Sequence, residues 1–163
     1  MGRVAICTCG VIRLWVGSVK SSENSQQLAD WYSFSHVIHG FILYAVFRAV
    51  SRRTWPIALC FVLAVFAEAT WEVVENSPFV INRYRQTMSQ DYAGDSILNS
   101  MSDILFCVIG FWLARSLPVW VTLTLIVVME VGVALIIRDN LTLNVIMLIH
   151  PFQSIKRWQQ GVG

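Results

Sequence analysis

The chain has 163 residues, a length that suits one domain, and 56% of them are hydrophobic while only 13% are charged. A soluble domain carries about 25% charged residues, so we expect lipid to be the solvent of much of this surface. The net charge of +2, with no basic run and no ladder of basic and aromatic residues, excludes a nucleic-acid partner. We therefore predict a single integral membrane domain over residues 1–163, surrounded by membrane lipids.

Four apolar stretches are long enough to cross a bilayer, and they cover residues 31–50, 55–75, 97–117 and 119–137. About 20 helical residues, at 1.5 Å each, match the ~30 Å hydrocarbon core. Residues 141–149 are apolar but too short to cross, which indicates a re-entrant or interfacial helix. Residues 4–19 need not span, and residues 77–94 are predicted to form a polar loop. The fold class predicted is thus all-α, a multi-pass bundle of four spanning helices and one short helix.

The four cysteines fall into two groups. Cys60 and Cys107 lie inside apolar stretches and are expected to be small core residues. Cys7 and Cys9 form a lone C-x-C, and two cysteines so close rarely bridge each other. A single C-x-C is also weak evidence for a metal, so we expect a structural or unpaired role.

The short connections between predicted helices carry basic residues without acids. Arg48, Arg52 and Arg53 lie around the first connection, and Arg115 lies just before another. Short loops rich in arginine stay on the cytoplasmic side of a membrane. This distribution predicts that the long loop of residues 77–94 faces outward.

Ionisable side chains recur along one face of three of the spanning helices. The residues at helical spacing are Tyr32, His36 and His39 on the first helix, Glu68, Glu72, Glu75 and Asn76 on the second, and Asp95, Asn99 and Asp103 on the third. A charge at the bilayer centre costs about 2.5 to 3.5 kcal/mol, so such groups must be paired, protonated or hydrated. Because alternate helices run in opposite directions, all of these groups are expected in the outer half of the membrane.

We interpret this cluster as a functional site, although each residue alone could be a hydrogen-bonded link between helices. His36 or His39 is the expected base, and Glu72 or Asp95 would orient it or hold a divalent cation. Asp103 completes the predicted catalytic group. The predicted binding residues that line the site are Tyr32, Glu75, Asn76 and Asn99.

Two further features adjoin the cluster. Arg83 and Arg85 in the long loop would lie over the mouth of an acidic cavity, where they could neutralise it or clamp a phosphate or carboxylate. The alternative is a solvated loop that contacts anionic lipids. Glu130, alone on the fourth helix, is expected to pair with Arg138 or with another buried donor.

Three functions remain open on this evidence. The first is a site that binds or processes an amphiphilic envelope molecule and opens to the outer leaflet. The second is a metal-dependent intramembrane hydrolase or transferase, in which His36 and His39 with Glu72 or Asp103 would hold a divalent metal. The third is a non-catalytic assembly factor or a proton-coupled transporter. The sequence predicts neither a substrate nor an oligomeric state.

Several segments resemble a bacterial family of integral membrane proteins. They are ICTCG (6–10), SSENSQ (21–26), DWYSFSH (30–36), HG (39–40), WEVVEN (71–76), NRYR (82–85), DSILNS (95–100), RDNLTLN (138–144) and HP (150–151). The family is known as a domain of unknown function in the inner membrane of alphaproteobacteria. The resemblance covers almost the whole chain and implies a location in that membrane, not an activity.

The resemblance also bears on the start of the chain. Members usually carry another apolar helix before the ICTCG segment, so the resemblance implies that such a helix is missing here, through either a misassigned start or trimming. A more distant likeness is to VanZ-like proteins, onto whose pattern Asp30, His36, Glu72, Asp95 and Asn99 can be laid. Asp103 departs from the glycine in that pattern, so the likeness supports the fold more than a function.

Overall fold

The computed structural model describes residues 2–87 and 92–161. Within these residues the chain is all-helical and contains no strand. Its seven helices are α1 (Ser33–Val50), α2 (Ile57–Glu75), α3 (Pro78–Thr87), α4 (Ile97–Ser116), α5 (Val119–Ile137), α6 (Leu141–Ile149) and α7 (Gln153–Gln160).

The helices α1, α2, α4 and α5 are each long and apolar enough to cross a membrane, which confirms the predicted multi-pass bundle. Their bounds agree with the predicted stretches to within two residues. Pro56 and Pro118 are the N-cap residues of α2 and α5, where a missing N–H costs no helical hydrogen bond. The short helix α6 also covers the residues expected for it.

The bundle is held together by close packing of α1 against α4. Gly40 and Gly110 lie at their contact, and a Cβ on Gly40 would collide with the carbonyl oxygen of Cys107. A Cβ on Gly110 would collide with the carbonyl oxygen of Val37. Small residues allow helix backbones to approach in this way, which is the usual packing solution in a membrane. This contact brings the polar faces of α1 and α4 together.

The expectation of a polar loop over residues 77–94 is wrong for its first part, which forms α3. This helix buries Val80 and Tyr84, and it contacts α6. Its stability therefore comes from tertiary contacts that its local sequence does not reveal. Residues 88–91 of the expected loop lie outside the described residues.

The N-terminal segment lies over the start of α4 and forms no helix within residues 2–32. The carbonyl oxygens of Val4 and Ala5 accept hydrogen bonds from the amides of Ile97 and Leu98, each 3.0 Å long. They satisfy two N–H groups that a helix start leaves without a partner.

Cys7 and Cys9 form a disulfide, so the expectation that they would not bridge is wrong. A turn brings their Cα atoms to 5.2 Å, within the range that a disulfide spans.

The start of α6 is tied to α5 through Glu130. The Glu130 carboxylate accepts hydrogen bonds from the amides of Leu141 (3.0 Å) and Thr142 (3.1 Å), at the first turn of α6. At 1.5 Å per residue, Glu130 lies about 10 Å before the end of α5. The first turn of α6 therefore lies level with this position and not beyond the end of α5. Glu130 is thus paired neither with Arg138 nor with a buried donor: its partners are backbone amides at partly buried and exposed positions, while Arg138 donates to the carbonyl oxygen of Trp158.

Candidate functional site

A cavity of about 320 Å³ lies at one end of the bundle, where α1 and α4 begin and α2 ends. Tyr84 and Tyr92 border it, and α6 closes it with Leu141, Asn144 and Val145. Seven of the eleven predicted site residues line it, and they are Tyr32, His36, His39, Glu75, Asp95, Asn99 and Asp103. The alternating direction of the helices thus brings these seven residues to one end of the bundle.

Glu68 joins the two histidines below the cavity. Its Oε1 lies 2.6 Å from Nδ1 of His36 and 3.0 Å from Nδ1 of His39, and its Oε2 lies 3.1 Å from the latter. Glu68 is only 2% exposed. An ionised carboxylate can only accept, so each Nδ1 is the donor and each Nε2 of a neutral imidazole keeps its lone pair. The shared carboxylate fixes both rings relative to each other.

Two more acids face His36 from neighbouring helices. Asp103 Oδ2 on α4 lies 3.8 Å from Nε2 of His36, and Glu72 Oε1 on α2 lies 3.5 Å from its Nδ1. Neither Glu72 carboxylate oxygen has a hydrogen-bond partner of ordinary geometry among the described residues, although the Ser100 side chain lies close. A buried acceptor without a partner is costly, so Glu72 is suited to a further donor or a cation.

Nearer the end of the bundle, Asn76 and Asp95 join α2 to the chain before α4. Asn76 Nδ2 donates to Asp95 Oδ2 and Asn76 Oδ1 accepts from the Asp95 amide, both at 2.7 Å. The Tyr92 hydroxyl donates to the other Asp95 oxygen at 2.8 Å. Burial raises the pKa of Asp95 above its ordinary value, and these hydrogen bonds oppose the rise. Both oxygens are thus occupied, which suits Asp95 to fixing the wall of the cavity.

The roof of the cavity is built from hydrogen bonds between distant segments. The Tyr84 hydroxyl lies 3.0 Å from both Glu75 Oε1 and Asn144 Oδ1, which connects α2, α3 and α6. The Tyr32 hydroxyl donates to Asp139 Oδ2 at 3.1 Å. Burial raises the pKa of Asp139 to about 7, against hydrogen bonds from Asn140, Tyr32 and Gln159.

Four predicted site residues lie away from this cavity. Glu72 and Asn76 stand behind its wall, where they contact His36 and Asp95. Arg83 donates to the carbonyl oxygens of Leu148 and Ile149, both at 3.0 Å, and so caps the end of α6. Arg85 donates to the carbonyl oxygen of Tyr92 at 2.6 Å and lines a second, outer cavity.

Sequence reasoning gave no role to several residues of the site. Glu68 was recognised on the polar face of α2, but its spacing did not reveal that both histidines would share it. Tyr84 and Tyr92 come from a segment expected to be a loop, and Asn144 comes from α6. An aromatic hydroxyl or amide placed by a long-range contact leaves no periodic signal in the sequence.

Among the described residues around the cavity, two groups of side chains have the geometry to close on a cation. One ligand atom from each of His36, His39 and Glu68 lies within 4.8 Å of the others, and the same holds for His36, Glu72 and Glu75. Mixed nitrogen and oxygen ligands suit a first-row divalent metal, and they would have to move together slightly to reach bonds of ~2.1 Å. The first group differs from the predicted ligand set, because Glu68 lies closer to the histidines than Glu72 or Asp103 does.

Comparison with known proteins agrees with the resemblance seen in the sequence. A family model described as protein of unknown function (DUF2585) matches residues 1–161. Similar proteins, each named a UPF0314 protein, occur in Sphingopyxis alaskensis (52% identical, over 99% of this chain and 86% of the relative), Brucella anthropi (51%, 99% and 82%) and Rhizobium johnstonii (52%, 99% and 83%). No solved structure matches the chain. These relatives do not carry the VanZ name, so that more distant likeness stays a prediction.

Proposed function

We propose a function for this chain, which belongs to the DUF2585 family: its cavity binds the polar head of an amphiphilic envelope molecule and presents it to His36 and His39. One observation carries the proposal. Two histidines share one buried carboxylate at the floor of a cavity of about 320 Å³, at one end of a membrane-spanning bundle. Ionisable groups in such a place are expensive, which favours a functional reason for them.

The histidines are suited to move a proton to or from a bound head group. A neutral imidazole whose Nδ1–H is held by Glu68 presents the lone pair of Nε2 to the bound head group as a base. Asp103, 3.8 Å from Nε2 of His36, stabilises that ring when it takes up the proton. This arrangement fits a hydrolysis or group transfer in which the amphiphile is processed after binding.

The proposed location is the bacterial inner membrane, with the cavity opening toward the periplasm. Arg52 and Arg53 follow the opposite end of α1, as residues of a short cytoplasmic connection do. The disulfide between Cys7 and Cys9 lies at the cavity end, where Cys9 Sγ is 3.3 Å from Nε2 of Gln27. Disulfides persist in the oxidising periplasm and are rare in the cytoplasm.

A cavity-filling substitution tests the binding proposal. Ser35 lines the cavity, so Ser35→Phe should occupy it, whereas Ser116→Phe adds the same bulk on the exposed far end of α4. Mass spectrometry of lipids that co-purify in a non-ionic detergent should detect an enriched amphiphile with the wild type and Ser116→Phe. With Ser35→Phe, we expect the amount of this co-purified amphiphile to fall at least about tenfold. Identical lipid content in all three proteins would overturn the proposal.

A metal-dependent hydrolase or transferase is the second candidate. The close approach of ligand atoms from His36, His39 and Glu68 favours it, as do the Glu72 oxygens, which accept no hydrogen bond of ordinary geometry from the described residues. Elemental analysis should then find about one divalent metal per chain in the wild type, and it should find none in His36→Ala. His150→Ala is the matched control, because His150 lies outside the cavity. Retention of metal by His36→Ala would exclude this candidate.

A further inference from the structure

An outer cavity of about 930 Å³ lies in front of the inner one. The two share parts of their walls, including Asn24, Tyr32, Tyr92 and Asp95. A molecule that reaches the histidines from this side must therefore pass through the outer cavity. Its walls come from the N-terminal segment, residues 19–26, α3, the end of α5 and α7.

The outer cavity is strongly basic. Five of the 12 Lys and Arg residues line it, in a chain whose net charge is only +2, and they are Arg3, Lys20, Arg85, Arg138 and Lys156. None of the five is within ion-pairing distance of an acid among the described residues. The acids that line it within residues 2–87 and 92–161 are Asp95 and Asp139, which are both buried. The wall thus presents positive charge to a ligand.

Backbone carbonyl groups hold four of these cations in place. Arg85 donates to Tyr92 (2.6 Å), Lys156 to Gln86 (2.7 Å) and Arg138 to Trp158 (3.2 Å). Arg3 donates to the carbonyl oxygens of Asp95 and Ser96, each at 3.0 Å. A carbonyl oxygen orients a cation without cancelling its charge. Each arginine also keeps further N–H donors that no carbonyl occupies, and guanidinium groups bind phosphate through such donors.

We infer that the outer cavity is a subsite for the phosphate of the bound amphiphile, which places the substrate class among phosphate-bearing lipids. This inference rests on the proposed function. The phosphate would lie among Arg85, Arg138 and Lys156, and the group beyond it would reach the acid- and histidine-lined inner cavity. Opposite charges in the two cavities thereby set the direction in which the head group enters.

The test compares three probes on protein purified in a non-ionic detergent: dihexanoyl phosphatidic acid, dihexanoylglycerol and inorganic phosphate. Binding is measured by calorimetry for the wild type and for the double variant Arg85→Gln/Lys156→Gln. The matched control is Arg52→Gln/Arg53→Gln, which removes two exposed charges at the other end of the bundle. A second variant, Arg85→Lys, keeps the charge, and thermal unfolding without probe checks that each protein folds.

We expect phosphatidic acid to bind the wild type at least about tenfold more tightly than dihexanoylglycerol, since charge-assisted hydrogen bonds contribute that much. The affinity of the double variant for phosphatidic acid should fall about tenfold, and its affinity for dihexanoylglycerol should not change. The affinities of Arg85→Lys and of the control variant should stay close to those of the wild type. Added salt should weaken the phosphatidic acid complex alone, because salt screens exposed charges.

Three results would overturn the subsite. The first is equal affinity of the wild type for the two lipids. The second is a loss of affinity for phosphatidic acid in the control variant that equals the loss in the double variant. The third is inorganic phosphate binding as tightly as phosphatidic acid. The last would mean that free phosphate is the ligand. If dihexanoylglycerol still binds and Ser35→Phe abolishes that binding, the proposed function survives without the subsite. If neither lipid binds, the proposed function fails and the subsite fails with it.

Discussion

Glu68 is the residue on which the proposed chemistry depends, because its carboxylate contacts both histidines. Glu68→Gln keeps the shape of the side chain but replaces one acceptor oxygen with an NH₂ donor, which an imidazole N–H cannot use. We expect at least one histidine to shift toward the tautomer that carries its proton on Nε2. We also expect a loss of about 1–3 kcal/mol in stability.

Nitrogen NMR of histidine-labelled protein measures this shift directly, because the chain has only three histidines. His150, outside the cavity, provides an internal reference whose signals should not change. Unchanged signals for His36 and His39 in the variant would mean that Glu68 does not set their tautomers.

Asp139 should make stability depend on pH. Burial raises the pKa of its carboxyl from 3.8 to about 7, so the folded protein holds a proton that the unfolded chain has released. The contribution of Asp139 to stability is therefore greatest at low pH, falls by up to about 1.4 kcal/mol per pH unit between these two pKa values, and changes no further above pH 7.

The variant Asp139→Asn resembles the protonated form and should remove this contribution. Thermal unfolding of the two proteins from pH 4 to 8 isolates it, because other titrating groups, such as Asp30 and Asp95, contribute to both profiles. We expect the variant to have the higher Tm at pH 8 relative to the wild type, and the advantage to shrink steadily until it is small at pH 4. Parallel profiles would contradict a raised pKa.

At the residue scale, the sequence predicts which side chains gather but not how they bond. Helical spacing and alternating direction were enough to bring His36, Asn99 and Asp103 to one cavity. The same spacing could not distinguish Asp95, whose oxygens accept from Asn76 and Tyr92, from Glu72, whose oxygens accept no hydrogen bond of ordinary geometry in the part of the chain described. That difference is set by changes of a few tenths of an ångström in the distances between side chains of separate segments.

At the scale of elements, the contact between α1 and α4 makes a sharp prediction. Gly40→Ala and Gly110→Ala each place a methyl group against the backbone of the opposite helix, so the helices must move apart. We expect each to cost about 1–3 kcal/mol, as overpacking does, and to lower Tm in detergent.

Gly132→Ala on α5 is the matched control. A Cβ there meets nothing within 4 Å, and alanine favours a helix more than glycine does by about 1 kcal/mol. Its Tm should be equal to that of the wild type or higher. A similar loss in all three variants would mean that helix propensity, rather than the close approach, governs the effect.

The elements divide into those that the sequence determines and those that the fold determines. The spanning helices are predictable because about 20 apolar residues in lipid must form a helix to satisfy their backbone. The helix α3 is different, since it is short and polar and depends on burial of Val80 and Tyr84. It also contacts α6, whose end is capped by Arg83. These residues are more than 60 positions apart in the sequence, and no local pattern encodes such a contact.

At the scale of the whole molecule, the polar cavities gather at one end because helix direction alternates. The sequence predicts this gathering, but it does not predict the cover formed by the N-terminal segment and α7. Arg3 reaches Asp95 and Ser96 from more than 90 positions away, and Gln159 reaches Asp139 at 3.0 Å. The sequence indicates only that residues 4–19 need not span, yet the N-terminal segment and α7 both line the outer cavity.

The proposed orientation predicts which end of the molecule a reagent can reach. Ser22 is exposed at the outer cavity, and Arg53 is exposed at the opposite end. In cells, a thiol reagent that does not cross the inner membrane should label Ser22→Cys and leave Arg53→Cys unlabelled until the membrane is permeabilised. The background is low, because Cys60 and Cys107 are buried and Cys7 and Cys9 are bonded to each other. The reverse labelling pattern would place the cavities on the cytoplasmic side, and an amphiphile of the outer leaflet could then not be the ligand.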